Sequence, residues 1–158
     1  MSDRRHAEIS GGGFAGLTAA TALAQMGWSV RLHERAPELR AEGAGIVLWN
    51  NSLQVLDRIG AGPDIASRSM TPPAYETRMD NVIRSQETLD GIRWRTMTRP
   101  HLHSCLLTAA RESGVEVVAG SEVTGATPDG VVTFASGERA QADLVIGADG
   151  VGSAVRDG

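Results

Sequence analysis

Ile9-Ser10-Gly11-Gly12-Gly13-Phe14-Ala15-Gly16-Leu17, followed by Val30-Arg31-Leu32-His33-Glu34, is the stretch from which the fold can be read. Gly11 permits a tight strand-to-helix turn, Gly13 lets the backbone approach a pyrophosphate, and Gly16 lets the helix pack closely on the strand. A helix opening at Phe14, with Ala15 and Gly16 in its first turn, points free N–H groups and the positive end of its dipole at the phosphates. Glu34 lies 18 residues beyond Gly16, at the expected end of the second strand. A carboxylate there accepts both ribose hydroxyls of an adenosine and repels a 2′-phosphate. Glycine-rich turns alone are common. Strand, helix, strand and acid in that order specify a dinucleotide-binding βαβ unit.

The 158 residues fit one domain with a real core, 41% apolar and 22% charged, as in an ordinary globular chain. The formal net charge of −4 leaves no basic footprint for nucleic acid. No apolar run reaches the ~18 residues of a membrane span, and Met1-Ser2-Asp3-Arg4-Arg5-His6 leads into a strand without a signal-peptide core. A cytoplasmic protein is expected, with no membrane partner. All 15 basic residues are arginine, so a ligand's anion must be met by guanidinium forks or backbone N–H groups. Cys105 is the only cysteine and reads as a small packing residue on a helix. The four histidines, His6, His33, His101 and His103, have no metal spacing. His101 and His103 diverge on a helix and read as solvated or capping side chains.

Along the chain, Ala7 to Ser10 reads as a strand and Phe14 to about Met26 as a helix ended by Gly27, with Ser29 to Glu34 as the second strand. A glycine-rich, charged connection from Ala36 to Gly45 precedes a short strand at Ile46 to Trp49, its glycines fitting backbone pressed against a ligand. Helices are expected at Ser52 to Ile59, Pro63 to Ser67 and Arg99 to about Ser113. A strand pair over Ala74 to Leu89 turns at Met79-Asp80-Asn81. Val115 to Val118 reads as a buried parallel strand, Ser121 to Thr127 and Val131 to Phe134 as antiparallel ribbons joined at Pro128-Asp129-Gly130, and Ala142 to Ala148 as a last buried strand.

Three separated blocks resemble the flavin monooxygenases of the para-hydroxybenzoate hydroxylase type. They are Gly11 to Leu17 with Glu34 and Arg35, then Arg99-Pro100-His101-Leu102, and then Asp143-Leu144-Val145-Ile146-Gly147-Ala148-Asp149-Gly150-Val151-Gly152-Ser153-Ala154-Val155-Arg156. The third resembles the family's Asp-Gly motif, which serves both FAD contact and NAD(P)H use. Val30 to Asn50, Thr71 to Thr77 and Trp94 to Arg99 are similar to the members that oxygenate a pyridine ring. The resemblance implies an α/β fold: a Rossmann-like FAD-binding domain of the glutathione-reductase type, a parallel sheet with inserted antiparallel β ribbons. Residues 1–158 would form its N-terminal FAD-binding portion, with about 71–97 starting a substrate-side β insertion whose sheet is largely absent. Family members continue past the equivalent of Arg156-Asp157-Gly158, so the chain is expected to be the N-terminal part of an enzyme and inactive by itself.

The resemblance also implies chemistry. NADH or NADPH reduces FAD, dioxygen is captured as a flavin hydroperoxide, and a hydroxylated aromatic or pyridine carboxylate takes one oxygen atom, with no catalytic side chain and no metal. It places Gly11, Gly13, Phe14, Ala15 and Gly16 at the pyrophosphate, Glu34 at the adenosine ribose, Arg35 at the adenine side and Val123 beneath the adenine. Arg40 and Arg99 would meet phosphate or ribityl groups, or serve as surface ion-pair residues. Asp149 would bond the pyrophosphate or ribityl end, or cap the helix before Val151. Leu48, Trp49 and Asn50 would approach the isoalloxazine, and Tyr75 would line the substrate side or fill a strand. Two other readings of the residues remain, a binding-only fragment and an NAD-dependent dehydrogenase, for which Glu34 is equally suited.

Overall fold

The computed structural model describes residues 4–156; residues 1–3 and 157–158, including the start of the first segment and the Asp157-Gly158 end named above, lie outside it. Four strands form a parallel sheet: β1 (His6–Ser10), β2 (Ser29–Glu34), β7 (Glu116–Ala119) and β11 (Leu144–Gly147), in the order β11-β1-β2-β7. Register brings Ile9 beside both Leu32 and Ile146. Ala7, Ile9 and Leu32 are fully buried, as expected of a sheet covered on both faces. Helix α1 (Phe14–Gln25) crosses from β1 to β2 and packs against α4 (Arg99–Glu112). Leu17 and Ala20 from α1 and Leu102, Leu106 and Ala110 from α4 join the core.

Between β2 and α4 the chain leaves the sheet. β3 (Gly45–Trp49) leads into α2 (Asn50–Arg58) and α3 (Gly62–Ser67), then β4 (Ala74–Met79), β5 (Val82–Thr88) and β6 (Trp94–Thr98). β3 pairs antiparallel with β6, and the opposed Trp49 and Trp94 stack with ring centroids 5.5 Å apart. β4 and β5 form a hairpin that pairs with no third strand among the described residues. Its turn residues Asp80 and Asn81 both take positive φ, 51° and 60°, the conformation a tight hairpin needs and these side chains tolerate. After β7, β8 (Val123–Ala126), β9 (Val131–Phe134) and β10 (Arg139–Gln141) make an antiparallel ribbon that returns the chain to β11.

Most elements fall where periodicity puts them, with ends shifted by one or two residues; β7 and β11, expected as buried strands, are instead the half-buried outer strands of the parallel sheet. β6 and β10 were not expected as strands. β6 carries Arg95 within an otherwise alternating run and has its partner about fifty residues upstream; β10 is three residues long and lacks an apolar pattern. Among the described residues, no helix is long and apolar enough to cross a membrane.

Candidate functional site

The carboxyl ends of β1, β2 and β11 open onto a crevice of about 320 Å³, the place where parallel α/β sheets present ligands. Of the residues singled out from sequence, Gly11, Gly13, Glu34, Arg35, Val123 and Asp149 all line it. Phe14 and Ala15, in the first turn of α1, line instead an apolar hollow of about 430 Å³ between α1, α2, α4 and β3. Arg40 stands exposed on the β2–β3 connection, and Tyr75 stands half exposed on the β4–β5 hairpin. Neither borders the crevice.

The glycines divide into two kinds. A Cβ on Gly11, which has φ of +106°, would lie 2.4 Å from the Ala148 carbonyl oxygen; one on Gly16 would lie 1.9 Å from that of Gly11. On Gly12 it would come within 2.9 Å of Leu39 Cδ2 and 3.1 Å of Glu34 Cβ. Protein fills those three spaces. A Cβ on Gly13 would meet nothing within 4 Å, so its bare backbone faces open crevice. Helix α1 has no side-chain cap, and its first internal bond runs from Leu17 N–H to the Gly13 carbonyl. The N–H groups of Phe14, Ala15 and Gly16 therefore precede the helical ladder and carry the positive end of the dipole. The arrangement can hold an anion.

Glu34 has two duties. Its Oε2 accepts from Gly12 N–H and its Oε1 from Ala36 N–H, each at 2.9 Å. A carboxylate oxygen has two lone pairs, so both oxygens can still accept ligand hydroxyls. Gly11 N–H is bonded within the protein, to the His33 carbonyl at 2.8 Å. Its part in the turn is therefore steric room. Across the crevice Asp149 Oδ2 accepts from Ala154 N–H at 2.8 Å, while Oδ1 is buried with no partner among the described residues. Burial pushes the Asp149 carboxyl up. The Ser153 hydroxyl and the Ala154, Asp149 and Val155 N–H groups outweigh this and hold it below its ordinary value. A carboxylate whose Oδ1 has no partner at hydrogen-bond geometry, lining the same crevice as an open glycine that precedes an uncapped helix, fits a dinucleotide that brings both hydroxyls and phosphates.

Arg99 does not border the crevice. Its guanidinium lies 4.9 Å over the Phe14 ring, and its Nε donates to the Glu42 carbonyl at 2.9 Å. Gly43 permits that approach, because a Cβ there would come within 2.9 Å of Arg99 Cδ. The β2–β3 connection is thus tied to the first turn of α1 through an arginine able to meet a phosphate.

Two features escaped the sequence reading. His103, expected to be solvated or capping, is buried, and its Nε2 lies 2.8 Å from the Gly12 carbonyl oxygen. That expectation is corrected: the spacing of His101 and His103 does separate them, and the divergence turns His103 inward. The His101 ring is half-buried, with Nε2 3.2 Å from the Asp64 carbonyl oxygen of α3, while its backbone N–H is itself capped by Thr98 Oγ1. The second feature is a buried polar chain beneath the crevice. Glu8, only 1% exposed, lies 2.6 Å from His33 Nε2, 3.0 Å from His6 Nε2 and 3.5 Å from Arg31 Nη1. His33 Nδ1 in turn lies 2.8 Å from Ser121 Oγ. The signal was the lone acid in Ala7-Glu8-Ile9, with histidines at positions 6 and 33 of paired strands.

Burial pushes the Glu8 carboxyl up, but hydrogen bonds with His33 and His6, and the charges of His33 and Arg31, bring it below its ordinary 4.5. A carboxyl lowered in the fold contributes stability that is complete above its unfolded pKa and lost as pH falls through the folded one. Glu8 and Asp149 are both of this kind. The thermal midpoint is therefore expected to hold steady above about pH 5 and to fall below about pH 4. Melts followed by circular dichroism should show a smaller acid drop in Glu8→Gln than in the parent. An identical drop would remove Glu8 from the account.

Comparison with known proteins adds independent observations. The family described as "FAD binding domain" matches residues 6–158. The 2-heptyl-3-hydroxy-4(1H)-quinolone synthase of Mycobacteroides abscessus is 46% identical over 157 residues, covering 96% of this chain and 42% of the relative. The 3-amino-4-hydroxybenzoate 2-monooxygenase of Streptomyces cremeus is 39% identical, covering 94% of this chain and 40% of the relative. A crystal structure of a variant of 2-methyl-3-hydroxypyridine-5-carboxylic acid oxygenase superposes with a TM-score of 0.95 at 56% identity, over 98% of this chain and 42% of that one. The chain thus spans about two-fifths of the length of the relatives it matches.

Proposed function

This chain belongs to the FAD-binding domain family, and from that premise we propose that it is the FAD-binding portion of an NAD(P)H-dependent monooxygenase acting on a hydroxylated aromatic or pyridine carboxylate in the cytoplasm. The observation that carries the cofactor reading is the crevice: an open Gly13 backbone, an uncapped α1, Glu34 with acceptor capacity left over and the orphan Asp149 Oδ1. The substrate class rests on the likeness to the hydroxypyridine carboxylic acid oxygenase and the aminohydroxybenzoate monooxygenase.

In this reading Gly13 and the first turn of α1, Phe14 to Gly16, receive the pyrophosphate, while Gly11 and Gly16 give the turn room to form. Glu34 accepts the adenosine ribose hydroxyls, with Arg35 at the adenine and Val123 beneath it. Asp149 serves the pyrophosphate or ribityl end, its carboxylate accepting from a ribityl hydroxyl there, and Arg99, tied to the first turn of α1, is the candidate for a phosphate or ribityl contact. Neither Arg40 nor Arg99 borders the crevice, but Arg99 is held against Phe14 in the first turn of α1, whereas Arg40 stands exposed on the β2–β3 connection. Trp49 and Tyr75 lie on the excursion that would face the flavin ring and the substrate. When bound, FAD supplies the reductive activation of dioxygen, with NADH or NADPH as electron source. The chain's own tasks are to hold the dinucleotide, orient it and keep water from it.

Residues 71–97 begin the substrate-side β insertion. Almost every residue of its β4–β5 hairpin is exposed, and a second layer over it is needed to close a substrate pocket. The 158-residue chain by itself is therefore expected to oxidise NADH, in the presence of FAD and a hydroxypyridine carboxylate, no faster than free FAD does. Turnover with incorporation of one labelled oxygen atom from dioxygen would overturn that expectation while supporting the class. The cofactor reading is tested by Glu34→Ala. Flavin fluorescence titration should show FAD affinity reduced about 10- to 100-fold, since a charge-assisted hydrogen bond contributes about 1.5–3 kcal/mol. Unchanged affinity would remove Glu34 from the ribose.

A further inference from the structure

We infer that His103 is a positioning residue that aims the Gly13 N–H into the crevice; the inference rests on the reading of that crevice as a dinucleotide site. His103 lies on α4, far from the glycine turn in sequence, and is buried. Its Nε2 is 2.8 Å from the Gly12 carbonyl oxygen. A carbonyl only accepts, so Nε2 carries the proton and donates.

The carbonyl of Gly12 and the N–H of Gly13 belong to one peptide unit, and in a trans peptide the two point in opposite directions. A donor that draws the Gly12 oxygen toward α4 turns the Gly13 N–H away from it. Gly13 lines the crevice, has open space where a side chain would stand, and its N–H has no partner among the described residues. The preceding peptide is fixed in the same manner. Glu34 Oε2 holds Gly12 N–H, and the opposed Gly11 carbonyl faces the Cα of Gly16. Gly12 is thus gripped on both sides, by β2 through its N–H and by α4 through its oxygen. Glycine is the residue whose backbone turns most freely, so the heading of these amides has to be imposed from outside the turn.

The phosphate-facing role separates His103 from a residue that merely fills space. In the chain labelled with ¹⁵N, the His103 ring should appear as the Nε2-protonated form, and an Nδ1-only proton would overturn the inference directly. His103→Leu removes the donor at similar volume; His103→Gln keeps an amide donor. The Gly13 amide resonance should move in the leucine variant and return toward its original position in the glutamine variant. ADP, which carries the diphosphate, should lose about 10-fold in affinity to His103→Leu and recover to within about threefold in His103→Gln. Adenosine, which lacks phosphate, should bind all three proteins alike.

An equal loss for ADP and adenosine, or an unmoved Gly13 resonance in a folded leucine variant, would overturn the positioning role. A parent protein that binds neither ADP nor adenosine would instead count against the dinucleotide reading, while the Gly13 resonance would still decide the role of His103. Should His103→Leu fail to fold, the ring-proton measurement on the parent and the glutamine variant decide it.

Discussion

Gly16→Ala is expected to destabilise the chain by about 3 kcal/mol or more, while Gly13→Ala leaves stability within about 1 kcal/mol and instead costs at least about 10-fold in FAD affinity. The contrast follows from where each new methyl would go. At Gly16 it would sit 1.9 Å from the Gly11 carbonyl oxygen, a backbone atom held in place by the turn. A flexible side chain could swing aside; a carbonyl between a strand and a helix cannot, so α1 must lift from β1 and leave poorly packed space around Leu17. Gly11→Ala belongs to the same class and adds the strain of φ at +106°. At Gly13 nothing obstructs the methyl, and the only casualty is the approach of a ligand. A loss of about 3 kcal/mol should lower the melting temperature by roughly 10 °C in a domain of this size. Thermal melts and FAD titrations on both variants check the pair. Equal effects at the two glycines would mean that the open side of Gly13 is not where the ligand comes close.

Glu8→Ala is the second large effect expected, a loss of about 3–5 kcal/mol in stability. Glu8 is buried between β2 and β11, and it is the shared acceptor for His33, His6 and Arg31. Removing it leaves the His33 imidazole, itself 4% exposed, with a donor that cannot reach water. It also leaves a cavity in the sheet. Glu8→Gln keeps one acceptor oxygen and should lose much less. The experiment is urea denaturation of the three proteins at neutral pH, read as a shift of midpoint at constant slope. A Glu8→Ala midpoint within error of the parent would show that water reaches His33.

The sequence was informative where chemistry and local geometry coincide. Gly11, Gly16 and the helix that follows were legible because steric demand writes itself into residue type. Asp80-Asn81 was legible as a turn for the same reason. The last strand was legible as a strand from the apolar run Leu144-Val145-Ile146, but its place beside β1 and its half-burial were not. What could not be read were partnerships across long separations. Thr98 caps α4 and His103 lies in the helix just beyond its first turn, yet nothing in Arg99-Pro100-His101-Leu102-His103 says which histidine faces α1. The facing is decided by the rotation of α4 against α1, a tertiary quantity. The dual use of Glu34, on its own loop and on the crevice, is hidden likewise, because an acid at the end of a strand looks the same with one duty or two. β6 was missed because its alternation becomes meaningful only once β3 lies beside it.

The sheet's strand order carries a consequence for synthesis. β1 is made long before one of its two neighbours, β11, and the bond from His6 N–H to the Asp143 carboxylate joins residues 137 apart. At ordinary translation speeds the opening strand waits on the order of 10 s with one flank bare. Asp149 follows β11, so the nucleotide cleft gains its far wall only when the whole sheet has assembled. A nascent polypeptide that has not reached β11 therefore holds no finished crevice, and ligand capture on the ribosome would report the arrival of β11 in the sheet.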